Sequence, residues 1–287
     1  MAMLGLGPPI HRLRRRFAAA PWSALLALAA RAGYVARGAV YLSIGAIALL
    51  AAIDLAPRAE GAVGAMEGWG RWPAGLALLW LVGAGLYGFA GWRALQSLFD
   101  ADRLGRSLKA IVARAGQAIS GLAYAGLAIG VFGLIDAIED LGEPDDQAAT
   151  REAVAKALEL PAGEWLVIAA GVFIFGAGVA SLVRAFLDHF GRGLDCGTDT
   201  ARWLGVMGRI GYAARGVALA PAGLLLASAG LNARAADARG LEGALNLLNR
   251  GPLGELVLAL TALGLLAFGA FAVGEGWLRP IRVPRPA

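Results

Sequence analysis

The sequence predicts an all-α membrane protein: six transmembrane helices arranged as three parallel two-helix repeats, with short outer-side interfacial helices and a pseudo-threefold arrangement. Three observations predict it. The 287-residue chain is 58% hydrophobic and 16% charged, with a mean hydropathy of +0.63, whereas a soluble domain carries about 25% charge. Six apolar stretches, about 34–53, 73–95, 111–135, 163–187, 205–230 and 252–278, reach the roughly 20 residues needed to cross a bilayer. Two short motifs recur three times in the same order.

Read from the start, "HRLRRRFAAAPWSALLALAARAG" has the look of a signal peptide, with a basic segment, an Ala/Leu run and Ala27 and Ala29 in an A-x-A pattern. A weak twin-arginine signal overlaps it at Arg15, Arg16 and Phe17. We read it as retained, because the corresponding segments ahead of the two related motifs are retained. Residues 22–33 then form an interfacial run-up to the first span. The expected division is a basic cytoplasmic N-terminus over 1–21, repeats over 22–104, 105–199 and 200–279, and a cytoplasmic tail over 280–287, all within one integral membrane domain.

The first motif is "RAGYVARG" at 31–38, followed by "RAGQAISG" at 114–121 and "RIGYAARG" at 209–216, each at the start of an odd-numbered span. The second is Pro73-Ala-Gly75, Pro161-Ala-Gly163 and Pro252-Leu-Gly254. Proline in a first helical turn costs no hydrogen bond, so these prolines are expected to start the even spans. Between the motifs lie "EGAVGAMEGW", "REAVAKALEL" and "LEGALNLLNR", read as short amphipathic helices at the interface. Two spans per repeat make the repeats parallel, related by an axis along the membrane normal. Pro221, inside the fifth span, is expected to kink it.

Charge sets the expected orientation. With the N-terminus inside, the outer side keeps only Arg58, Arg71, Arg151, Lys156, Arg234, Arg239 and Arg250 of the 26 Lys and Arg residues. The positive-inside rule then puts both termini in the cytoplasm of a bacterial inner membrane. Seven of the eight tryptophans (Trp22, Trp69, Trp72, Trp92, Trp165, Trp203 and Trp277) fall near span ends as an aromatic belt, with Trp80 inside a span. The pI of 9.9 fits anionic headgroups as partners; nucleic acid binding would need a polar basic face that the chain lacks. The single Cys196 can form no internal disulfide, and His11 and His189 are too far apart for a metal cluster.

The triple R-x-G-Y-x-x-R-G and P-x-G pattern resembles the bacterial membrane family whose two-span domain of unknown function occurs three times in tandem. The resemblance covers about residues 25–280 and extends to Glu275, Trp277 and Arg279 at the end of the last span. The second repeat departs from it, with Gln117 in place of Tyr and Ser120 in place of Arg. The family implies the fold and a membrane location. It supplies no activity, so no functional residue carries over.

At 100° per residue, Arg31, Tyr34, Arg37, Gly38, Tyr41 and Gly45 fall on one face about 120° wide. Arg31, Arg114 and Arg209 are expected to be interfacial anchors that snorkel to headgroups. Arg37 and Arg215 lie almost two turns deeper. In lipid each would cost a few kcal/mol, so each should point inward and be paired. Glu275 is the acid available to pair with Arg37 or Arg215, and Tyr34 and Tyr212 are expected to hydrogen-bond to that cluster. One carboxylate does not neutralise two arginines, so the surplus charge could receive a lipid phosphate or a small anion; alternatively both arginines reach carbonyls and headgroups.

There is no Ser/His/Asp set, H-E-x-x-H, Walker or dinucleotide pattern, and we expect no catalysis, cofactor or metal. Paired acids such as Asp145 and Asp146 read as solvated. Two functions compete. One is an accessory or scaffold unit that binds lipid or a membrane-protein partner. The other is a small-solute or ion carrier or channel using the pseudo-threefold axis. Its architecture is superficially like that of the mitochondrial carriers, but the charged P-x-[DE]-x-x-[KR] gate is absent.

Overall fold

The computed structural model describes residues 22–100, 105, 107–139, 146–188, 190–191, 195–250 and 252–279. The expectations for the 1–21 and 280–287 segments, and for His11, His189 and Asp145, lie outside the described residues. Among these are nine α-helices: α1 (Trp22–Ala52), α2 (Gly64–Glu67), α3 (Gly75–Phe99), α4 (Leu108–Glu139), α5 (Asp146–Leu158), α6 (Gly163–Leu187), α7 (Thr198–Leu231), α8 (Leu241–Leu248) and α9 (Gly254–Leu278). Six of them, α1, α3, α4, α6, α7 and α9, are long and apolar enough to cross a membrane. The short helices α2, α5 and α8 join the two spans of each repeat.

Several local expectations change. The 22–33 run-up is not a separate interfacial segment. It is the first part of α1, because nothing between Trp22 and Arg31 breaks the helix, and its Ala30 is buried against Trp92 of α3. Trp92 is therefore a packing residue, while Trp72, Trp165, Trp203 and Trp277 are exposed. The three prolines do not sit in a first helical turn. Pro73, Pro161 and Pro252 lie in turns two residues earlier, and Gly75, Gly163 and Gly254 are the first helical residues. A side chain on any of these glycines would collide with a carbonyl at the end of the preceding connector (Trp69, Ala157 and Asn249, respectively). The P-x-G motif thus folds each connector tightly back onto the span it starts. α7 continues through Pro221 without interruption.

The six long helices follow a cyclic rule. The even span of each repeat packs on the odd span of the next: α3 on α4, α6 on α7, and α9 on α1. The motif glycines create these contacts. A β-carbon added at Gly38, Gly121 or Gly216 would lie 2.8, 3.3 or 2.8 Å from the carbonyl oxygens of Gly269, Ala90 and Gly178. Those three carbonyls occupy the same offset from the P-x-G motif, so the same helix contact is made three times. Backbones meet this closely in lipid only through such small residues, where dispersion rather than the hydrophobic effect holds helices together.

Within a repeat the pattern breaks. α1 packs on α3 and α7 packs on α9, and a side chain on Gly33 or Gly211 would overlap Phe89 or Phe268. In the second repeat, α4 and α6 make no comparable contact among the described residues. Gly116, at the same motif position, faces open space. The six spans therefore form a pseudo-threefold ring with one open seam, between α4 and α6.

At the end opposite the motifs, the connectors lock neighbouring repeats together. Asn246 of α8 accepts from the Ala59 backbone N–H at 3.1 Å and donates to its carbonyl at 3.0 Å. The same connector carries buried Glu242, 3.7 Å from Arg58. Val154 of α5 is buried with Ala229 and Ala238, and Val63 sits against Gly130 of α4.

This packing makes a direct prediction. Gly33→Leu and Gly211→Leu should each destabilise the protein by about 3 kcal/mol or more, the upper range for overpacking, whereas Gly116→Leu should change it by less than about 1 kcal/mol. Thermal unfolding in detergent measures the contrast; equal losses at all three sites would refute the open seam.

Candidate functional site

The motif residues converge inside the ring, in the half where the odd spans begin. Arg37 of α1 is 4% exposed, and its Nη2 donates to Glu275 Oε2 of α9 at 3.0 Å. Glu275 Oε1 accepts from Arg279 at 2.8 Å, so one buried carboxylate bridges two guanidiniums. The guanidinium of Arg37 also lies 5.2 Å from the Tyr34 ring, 5.4 Å from Phe89 and 5.2 Å from Phe268. An aromatic face attracts a cation by up to about 2 kcal/mol when both are desolvated. These rings replace part of the hydration that Arg37 gives up.

Arg215 of α7 does not reach Glu275. Its Nε donates to the Tyr41 hydroxyl at 3.0 Å and its Nη1 to the Ser181 hydroxyl at 2.8 Å, with its guanidinium 5.5 Å from the Phe268 ring. Tyr34 and Tyr212 serve differently from the hydrogen-bonding role expected of them. Each turns its ring edge-on to the phenylalanine of its own repeat: Tyr34 to Phe89 at 5.2 Å, and Tyr212 to Phe268 at 5.1 Å. Arg215 needs an acceptor at its own depth. Tyr41, two turns further along α1 from Tyr34, supplies it.

A third arginine joins them. The guanidinium of Arg93, on α3, lies 5.0 Å from the Phe89 ring and donates to Gln96 at 3.2 Å. Counting from each P-x-G motif, Arg93, Ser181 and Ala272 share one position, and Gln96, Arg184 and Glu275 share another. Ser181 is the residue that meets Arg215 across α6 and α7. By the same rule, Arg93 faces the place of the second motif's missing arginine, Ser120, and a side chain on the adjacent Gly121 would touch the base of Arg93 at 3.1 Å. Each of the three packed inter-repeat interfaces therefore brings one arginine to the interior, with the even helix supplying it where the odd helix has Ser120. Tyr124 of α4, edge-on to Phe89 at 4.8 Å, is within electrostatic reach of all three.

The rings fill the space between them. Phe89, Phe268 and Phe271 are each no more than 2% exposed, and Leu86 and Leu265 are fully buried. Against this interior, the charge does not balance. Neither Arg93 nor Arg215 has a carboxylate partner among the described residues, and the buried Nε atoms of Arg37 and Arg93 meet no acceptor there. Buried polar groups are normally satisfied.

The three expected anchors separate. Arg31 and Arg209 are exposed at the ends of their motifs. Arg114 instead donates to the Ser97 carbonyl at 2.7 Å and the Leu98 carbonyl at 3.2 Å, capping the C-terminus of α3, where a cation is favoured by the helix dipole. Beyond the cluster, an open depression of about 390 Å³ lies beside Phe190, Arg202 and Arg209. On α5 the exposed Lys156 donates to Glu152 at 2.6 Å and holds its carboxyl below the usual range. No group of metal-ligating side chains is found among the described residues.

The same three units recur in a family comparison. The model of a family described as "Domain of Unknown Function (DUF1206)" matches three times, over residues 32–100, 115–188 and 210–279. The chain belongs to the DUF1206 family. Each match runs from an arginine motif to the end of the following even span, so the family unit is the two-span repeat. A Bacillus subtilis (strain 168) protein described as "Uncharacterized protein YxxB" is 29% identical over 251 residues, 86% of this chain and 88% of that one. No solved structure matches the chain.

Sequence reasoning missed Arg93, reading it only as one of many charges on the inner side. The signal that finds it is the register of the three P-x-G motifs, which sets Arg93 opposite the vacancy at Ser120.

Removing the one carboxylate tests the pair. Glu275→Gln leaves Arg37 buried without its counter-charge and should cost about 3–5 kcal/mol. Adding Arg37→Gln should recover at least half of that loss. A double variant no more stable than Glu275→Gln in detergent unfolding would show that the pair is not coupled.

Proposed function

We propose that this DUF1206 protein is a rigid accessory unit of the bacterial cytoplasmic membrane that binds an anionic phosphate headgroup at Arg93 and Arg215, the interior arginines not paired with Glu275. Both termini are on the cytoplasmic side in this reading, which puts the cluster in the inner half of the bilayer. The observation that carries it is the unbalanced charge: among the described residues, Arg37, Arg93 and Arg215 share a ring-lined interior with Glu275 as its one buried carboxylate, and Glu275 also accepts from Arg279. A guanidinium deep in a membrane costs about 3 kcal/mol, so two without carboxylates form a standing demand for an anion. Planar guanidiniums also bind phosphate in forked pairs.

The packed interior favours a binding unit over a carrier or channel. A conduction path along the pseudo-threefold axis would have to pass Phe89, Phe268 and Phe271, all buried in mutual ring contacts with the surrounding tyrosines. Gly33 and Gly211 pack directly on the backbone of Phe89 and Phe268 and leave these two rings little room to move aside.

Native mass spectrometry from detergent tests this. The wild-type protein is expected to retain phosphatidylglycerol in preference to phosphatidylcholine. The Arg93→Gln/Arg215→Gln variant is expected to retain at least tenfold less while unfolding at a similar temperature. Equal retention of the two lipids, or no loss in the variant, overturns the proposal.

A further inference from the structure

The helix packing of the three repeats differs most at one place, and the difference there is chemical as well as geometric. In the first repeat, Tyr34 and Phe89 meet across α1 and α3. In the third, Tyr212 and Phe268 meet across α7 and α9. The residues at the same positions in the second repeat are Gln117 and Ala177. The plug of two rings is replaced by an amide and a methyl group. The motif glycine beside it, Gly116, faces open space, and α4 and α6 do not pack together among the described residues. The motif arginine is also replaced, by Ser120.

Each charge stands on the helix packed against one wall of this opening. Arg93 lies on α3, whose face packs on α4, and Arg215 lies on α7, whose face packs on α6. Arg215 is joined directly to α6 through Ser181. Arg93 lies against Gly121 of α4. Both arginines are half-buried, whereas Arg37 is sealed behind its rings and its carboxylate. An anion entering between α4 and α6 would therefore meet two guanidiniums without carboxylates. Its path is bordered by Gln117, Ser120 and Ala177, which are small or uncharged. Outside, the lipid-facing surface of both helices is apolar, with Val112, Ile111, Leu122, Val172 and Val179 exposed.

We infer that the α4–α6 seam is a lateral lipid seat, in which one phospholipid places its phosphate between Arg93 and Arg215 and lays an acyl chain along the gap. This rests on the anionic-headgroup reading above and adds the location, the route of entry and the need for an acyl chain. Charge complementarity selects the headgroup: two guanidiniums without carboxylates among the described residues inside, and no acid on α4 from Leu108 to Ile135 or on α6 from Trp165 to Leu187. The setting selects the chain, because a gap between two lipid-facing helices opens on acyl chains rather than water. The second repeat thus binds ligand because it lacks the residues that the other two use to close themselves.

Ala177→Phe restores the plug that the other repeats carry, and Gly116→Leu fills the open space directly. Phosphatidylglycerol bearing a photoreactive group in its acyl chain is added to the purified full-length protein, and cross-linked peptides are mapped. In the wild type, labelling should concentrate on the α4 and α6 segments around 116–124 and 174–181. It should fall at least tenfold in Ala177→Phe, in Gly116→Leu and in Arg93→Gln/Arg215→Gln. If either filled-seam variant fails to fold, the other decides. Headgroup retention by native mass spectrometry separates the two claims. If the filled-seam variants keep the lipid and the arginine variant loses it, the headgroup site stands and the lateral seat is wrong. Labelling spread evenly over all lipid-facing helices also overturns the seat. Complete displacement by millimolar inorganic phosphate would identify a free anion as the ligand and overturn the role of the acyl chain. A dimer whose cross-links bury the seam would show a second copy there and overturn it as well.

Discussion

Arg37 has to be buried, and the architecture depends on how that is achieved. It sits on the first span, yet its carboxylate comes from the last, 238 residues away. That ion pair joins the two ends of the repeat series. A guanidinium in this position needs a counter-charge, aromatic faces and exclusion of lipid. Glu275 supplies the first, and Tyr34, Phe89 and Phe268 supply the second. Gly38 supplies the third by letting α1 approach the Gly269 carbonyl. An ion pair in low dielectric is not by itself a strong source of stability, because desolvation offsets most of the attraction. Its effect here is specificity: only one pairing of α9 with α1 satisfies Arg37, so the ring has one way to close.

Repetition explains most of the remaining structure. One helix contact, a motif glycine against a carbonyl of the preceding even span, is used three times. One turn, P-x-G, folds each connector back onto its span. A sequence that repeats a local solution need not find three different ones. Asymmetry then arises by subtraction. The second repeat replaces a tyrosine, a phenylalanine-equivalent position and an arginine with Gln117, Ala177 and Ser120, and the ring opens there. Arg93 keeps the third interior charge, moved to the facing helix.

The features legible in the sequence were those written in local spacing. Span length, the recurrence of both motifs, the connector helices and the small-residue faces depend on residues near each other in the chain. The depth of Arg37 and Arg215 was equally legible, since helical periodicity places them two turns past Arg31 and Arg209. What depended on pairing between distant spans was not. Nothing near Arg215 indicates that Tyr41 rather than Glu275 would accept its hydrogen bond, because that choice is set by how α1, α7 and α9 stack. Arg114 looked like a headgroup anchor because its partners, the Ser97 and Leu98 carbonyls, are backbone atoms with no sequence signature. The prolines misled by two residues, since proline tolerates both the first helical turn and the turn before it. The seam itself was half visible: the loss of Tyr and Arg in the second motif was plain, but only the packing of α4 and α6 shows that the loss leaves a gap.

Among the described residues the interior carries more positive charge than its own side chains balance, and the proposed anionic lipid makes up the difference. An electron cryomicroscopy map of the protein in nanodiscs of phosphatidylglycerol and phosphatidylcholine addresses it most directly. Headgroup density is expected between Arg93 and Arg215, continuous with acyl density along α4 and α6. A map in which α4 and α6 close against each other, with both guanidiniums turned to protein carboxylates or to bulk water, would contradict it.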